Sequence, residues 1–114
     1  MADAPAGRPG AAPRTGALHF AVRCRDVAGS GPLREASLDA HRRYVDARAD
    51  MIALSGPLVA EDGATRCGQL FVLAVASREA AEAFVADDPF TRAGVFAAVE
   101  IDALLPVFGN GRPG

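Results

Sequence analysis

The sequence predicts an α+β domain in which a four-stranded antiparallel sheet carries two helices on one face. Three observations lead there. Two stretches alternate apolar and polar residues, while two others repeat their apolar residues at three- and four-residue steps. These segments come in the order strand, helix, strand, strand, helix, strand. Finally, 114 residues are enough for one domain with a modest core and too few for two.

Taken in order, residues 1–16 predict a disordered N-terminal tail. Pro5, Gly7, Pro9, Gly10 and Pro13 remove backbone donors and raise chain entropy, with little apolar surface to compensate. A domain over 17–108 and a C-terminal tail over 109–114 follow. Leu18, Phe20, Val22 and Cys24 alternate with His19, Ala21, Arg23 and Arg25, which predicts a strand with one core face. Gly29-Ser30-Gly31-Pro32 signals a turn. The first helix starts between Pro32 and Ser37, with Ser30 or Ser37 as its cap, and is expected to stop before Gly56-Pro57. Its inner stripe reads Leu38, His41, Val45, Arg48, Ala49, Ile52.

Leu58-Val59-Ala60 continues as a strand into a hairpin turn at Glu61-Asp62-Gly63, Gly63 taking a positive dihedral. Gln69–Ala76 is apolar on both faces and so belongs at the centre of the sheet. Ser77 caps a second helix running to about Ala86, with Ala80, Ala81, Phe84 and Val85 inward. Pro89 ends it. A short helical turn over Phe90–Phe96 leads to a last strand, Val99–Val107. With right-handed crossovers this is the ferredoxin-like βαββαβ arrangement. Two helices cover one face only, yet the central strand is apolar on both. The bare face therefore calls for a second copy of the chain, a homodimer packed sheet against sheet.

Half the residues are hydrophobic, and the net charge is −2 with its basic residues scattered, which argues against nucleic-acid binding. No apolar run spans a bilayer, and residues 1–16 have no signal-peptide centre, so a cytoplasmic protein is expected. Cys24 and Cys67 lack the neighbours of a zinc site and are read as free thiols.

His41 in an apolar stripe is either a core histidine or one lining a cleft. Topology starts the first helix at the upper end of the sheet, with His41 in its upper half, and brings Asp88 to the same end. A carboxylate that accepts one ring N–H fixes the tautomer and leaves the other nitrogen to move a substrate proton. The alternative role for Asp88 is to cap the turn begun by Pro89. His19 points to the bare face, either lining an inter-subunit cleft or buried in the dimer contact. No nucleophile elbow and no phosphate loop is present.

His41 with Tyr44, Ser55-Gly56-Pro57-Leu58, the strand Leu70–Val75, Glu79-Ala80-Ala81, and Asp88-Pro89-Phe90 followed by Ala93-Gly94-Val95 together resemble the YciI-like (YCII-related) family. The resemblance covers roughly Leu18 to Val107. It implies a dimeric α+β barrel of ferredoxin-like subunits and a His-Asp active site, carried onto His41 and Asp88. It further implies that Ser55, Gly56, Pro57 and Phe90 form a pocket wall. Many relatives place an arginine one turn before the histidine, whereas this chain reads Ser37-Leu38-Asp39-Ala40 there, with Arg34 further back. That departure implies a different or less charged substrate. A few members resemble dehydrochlorinases or isomerases of hydroxylated aromatics that use no cofactor. The expected function is a cofactor-free lyase or isomerase acting on a small cyclic or aromatic metabolite, with no metal. The alternatives are a non-catalytic small-molecule-binding module and a purely structural dimer.

Overall fold

In the computed structural model, which describes residues 17–109 and the backbone of 112–113, the elements run β1 (His19–Asp26), α1 (Gly31–Ala47), β2 (Ile52–Val59), β3 (Arg66–Leu73), α2 (Arg78–Asp87), α3 (Pro89–Arg92) and β4 (Phe96–Leu104). The expected N-terminal tail lies outside the described residues. At the other end, β5 (Phe108–Gly109) pairs with β6 (Arg112–Pro113), where a tail was expected.

Alternation along β1 decides the layering. Phe20, Val22 and Cys24 are buried on one side, while Arg23 and Arg25 are exposed on the other. β3 and β4 flank β1, both antiparallel, and β2 closes the sheet beyond β3, giving the order β2-β3-β1-β4. The described elements form the ferredoxin-like α+β fold, with β3 in the interior as its two apolar faces require. Phe20, Val22, Cys24, Ile52, Phe71 and Leu73 meet Ala81, Phe84 and Val85 of α2 in one core, with Tyr44 and Val45 of α1 against it. Rings fix its geometry: Phe71 and Phe84 meet edge to face at 5.0 Å.

Local chemistry accounts for the boundaries. Ser77 caps α2 by accepting the Ala80 N–H at 3.1 Å. Gly63 takes φ +74 in the β2–β3 turn. Asp62 closes that turn by accepting the N–H groups of Ala64 and Thr65 at 2.8 and 2.9 Å. Gly68 has a different reason to be glycine, since a Cβ there would collide with the Cys24 carbonyl oxygen of β1.

β3 and β4 each begin and end three residues earlier than expected, and α1 departs from expectation at both ends. α1 begins at Gly31, and Ser30 makes no cap bond; its hydroxyl donates to Asp26 instead. At the other end α1 stops at Ala47, a single 3₁₀ turn spans Ala49–Met51, and β2 begins at Ile52. Ser55-Gly56-Pro57 is thus the middle of an edge strand and not a turn after the helix. The free edge of β3 supplies the reason: pairing Ile52 through Val59 with it satisfies backbone groups of both strands, where Gly56 and Pro57 oppose a continued helix. An edge strand also tolerates Pro57, which has no N–H to donate.

Candidate functional site

His41 lies ten residues after Gly31, past the midpoint of α1, and α2 returns only ten residues before it stops at Asp87. At about 1.5 Å per residue each arm covers about 15 Å. The two therefore meet over the middle of the sheet and not at its end, which corrects the expected height of His41 while preserving the encounter.

His41 Nδ1 lies 2.8 Å from Asp88 Oδ1. Oδ1 also accepts the Phe90 N–H at 3.0 Å, so Asp88 caps α3 and engages the histidine with the same oxygen. Both contacts expected of Asp88 are present. A carboxylate that already accepts an amide proton takes the imidazole Nδ1–H as its donor, which leaves the lone pair on Nε2. Among the described residues Nε2 has no hydrogen-bond partner. The His41 side chain keeps 9% exposure and Asp88 none, so only the imidazole offers an edge to a ligand.

Aromatic rings frame the imidazole. Phe90 stacks on it at 3.9 Å between centroids and 9° between planes, and Phe71 lies tilted at 6.3 Å. Phe90 in turn meets Phe96 edge to face at 6.1 Å. Beside the dyad, burial first and the Asp88 and Asp26 charges next push the Cys24 thiol up to about 12, against the opposing charge of Arg34. Cys24 is a neutral core thiol at physiological pH. Burial likewise raises the Tyr44 hydroxyl, which donates to the Phe84 carbonyl at 2.6 Å and so ties α1 to α2.

The remaining expected residues make no hydrogen bond to the dyad among the described residues. Ser55 and Pro57 are exposed on β2. Ser55 pairs with Phe71 and Pro57 with Gln69, yet among the described residues none of Ser55, Gly56 and Pro57 hydrogen-bonds His41 or Asp88. His19 departs most from expectation. It is fully buried within the single chain, not open on the bare face. Its Nδ1 lies 2.8 Å from the Ala17 carbonyl, and it lies on the face opposite to Val22 and Phe71.

A salt bridge beside the site was not anticipated from the sequence. Arg34 Nε donates to Asp26 Oδ2 at 2.6 Å and Nη2 to Oδ1 at 3.2 Å and to the Gly68 carbonyl at 2.6 Å. The guanidinium carbon lies 4.8 Å from the Phe90 ring centroid. The signal was available: Arg34 precedes His41 by seven residues and so shares its helix face. Arg34 also borders a recess of about 690 Å³ at the end of β1, lined further by Arg25, Asp26, Ser30, Leu58 and Arg66, whose wall includes neither His41 nor Asp88. No group of three or more His, Cys, Asp or Glu side chains able to hold a metal ion comes together among the described residues. No described helix is long and apolar enough to cross a membrane.

A family model described as the YCII-related domain matches residues 18–104. Among solved structures, the chain is similar to 5-chloro-2-hydroxyhydroquinone dehydrochlorinase (TftG) from Burkholderia phenoliruptrix AC1100, in complex with 2,5-dihydroxybenzoquinone. The two are 28% identical with a TM-score of 0.67, over 74% of this chain and 90% of that one. No curated protein matches significantly.

Proposed function

The chain belongs to the YCII-related family, and from that membership we propose that it is an acid–base lyase or isomerase for a small cyclic or aromatic metabolite. His41 moves the substrate proton and Asp88 orients His41. The observation that carries this reading is the 2.8 Å contact between His41 Nδ1 and Asp88 Oδ1, made by an imidazole stacked flat against Phe90.

The chemistry needs only these two side chains. Asp88 holds the Nδ1 proton, and Nε2 takes a proton from a carbon or hydroxyl of the substrate. In an isomerisation the proton returns at another atom. In an elimination the electron pair released by deprotonation expels a leaving group as its anion. Phe90 and Phe71 favour a flat ring next to the imidazole. Arg34 is neutralised by Asp26 and is 11% exposed at its side chain, so it offers no free cation to an anionic substrate. The similarity to a dehydrochlorinase complexed with a dihydroxybenzoquinone supports a hydroxylated ring as substrate class.

The protein acts as a homodimer through the open sheet face. Leu54, 58% exposed, and Leu104, 38% exposed, lie there with the half-buried Leu58, Leu70 and Val72. A second sheet would remove this surface from water. The two free thiols suit a reducing compartment, and the cytoplasm is the proposed setting.

Turnover of a panel of hydroxylated and chlorinated hydroxylated aromatics tests the reading. The native protein converts at least one member, and His41→Ala lowers kcat by about 10²–10⁴ while the fold persists. Binding without conversion by the native protein would instead identify a binding module. A stabilising His41→Leu that leaves ligand binding intact would reduce the histidine to packing.

A further inference from the structure

We propose that Arg34 is a positioning residue for His41, acting through the ring of Phe90. Seven residues separate the two on α1, about 10.5 Å of helix rise, and Phe90 is the side chain that reaches both. Its ring centroid is 3.9 Å from that of the imidazole and 4.8 Å from the Arg34 guanidinium carbon. Its amide donates to Asp88 Oδ1, the oxygen that also meets His41 Nδ1. Phe90 therefore touches both members of the dyad, and its own ring is set by what lies against it.

Arg34 is suited to that task because it cannot move freely. Two of its nitrogens engage the Asp26 carboxylate, Nη2 also reaches the Gly68 carbonyl, and the Ser30 hydroxyl donates to the same carboxylate at 2.7 Å. This clamp joins the end of β1, the start of α1 and β3. A planar guanidinium with several donors can satisfy Asp26 and Gly68 while presenting a flat face to a ring. Lysine has the charge without the face. Asp26 and Arg34 thus link the end of the sheet to the plane of the imidazole.

The consequence for turnover rests on the acid–base reading of the dyad; the consequence for the imidazole does not. The test is the NMR position of the His41 ring protons, which feel the Phe90 ring current, measured at one pH in Arg34→Met, Arg34→Lys, Phe90→Leu and Ser77→Ala. The ring protons of His41 move in the first three. Ser77→Ala, which loses a helix cap elsewhere, lowers the melting temperature and leaves them in place. Because Arg34→Met strips Asp26 of its partner and can unfold the chain, Arg34→Lys, which keeps the charge, decides the matter alone if needed. In the Phe90→Leu background Arg34→Lys adds no further displacement. With a substrate in hand, Arg34→Lys lowers kcat on the order of tenfold or more with KM little changed, since a misplaced catalytic group costs rate. Unmoved His41 ring protons in a folded Arg34→Lys protein overturn the inference, whether or not turnover exists. Displaced ring protons in a protein that converts no substrate leave it standing and sink the enzyme.

Discussion

One sheet presents two faces, and adjacent residues of β3 show how differently they are used. Phe71 turns to the helices, is fully buried and lies beneath His41. Leu70, one residue earlier, turns the other way and is only half-buried in the single chain. On β1 the same parity separates Val22 from Arg23, which reaches across to Glu100 at 2.7 Å on the open side. The helix-covered face completes its packing within one chain, and the open face does not. Residue type follows that difference: aromatic and branched residues inside, leucines mixed with paired charges outside.

The largest expected effect comes from cutting the covered face. Phe71→Ala should cost about 3–5 kcal/mol in chemical denaturation, because it leaves a cavity under both Phe84 and His41. Leu70→Asp should instead break the proposed homodimer, read as a shift of sedimentation to monomer, with a smaller loss of chain stability. If both substitutions act on folding alone, the contrast between the faces collapses.

A subtler comparison is between the two thiols, Cys24 buried and Cys67 exposed. A thiol reagent should titrate one cysteine in the native protein and both after unfolding; two fast native thiols would contradict the packing of β1. The raised Cys24 value also fixes a sign. Its folded pKa of about 12 lies above the ordinary thiol value of 9.0, so the folded state holds a proton that the unfolded chain releases first. That contribution is complete below about pH 9 and drains away as pH rises toward 12. Cys24→Ser should flatten the alkaline limb of the stability curve.

The smallest expected effect lies in the β2–β3 turn. There the Thr65 hydroxyl first, then the Ala64 and Thr65 amides, pull Asp62 down to about 2, below its ordinary 3.8. The sign is opposite to that of Cys24. The stabilisation is present above about pH 4 and is lost as pH falls through 2. Asp62→Asn should lie below the native protein in stability at pH 7 and converge with it in strong acid, a trend that urea titrations at several pH values would reveal.

Much of this was legible beforehand, for identifiable reasons. Alternation in β1, the two-faced β3, the Ser77 cap and the glycine at 63 are local signals, and each element exists as they indicate, β3 beginning and ending three residues earlier than expected. The pairing of His41 with Asp88 was legible because crossover handedness leaves the two helices on one face. The stretch Ala49–Val59 was not. Its helical spacing of Ala49 and Ile52 suited an extended α1, and both are buried as that stripe required, but in a 3₁₀ turn and a strand. The burial of His19 also escaped, since nothing local records what encloses the end of a strand.

What the amino acids determined by themselves is the order of elements, their inward faces and the choice of His41 and Asp88 as residues brought to one face of the sheet. Those follow from periodicity and from chain handedness, which act over short distances. Only the tertiary structure decided where α1 yields to β2, that Phe90 lies flat on the imidazole, and that Arg34 is bound to Asp26 and Gly68. Each of those outcomes is a competition among partners distant in sequence. A backbone edge or an unpaired charge is satisfied by whichever group the assembled fold brings within reach.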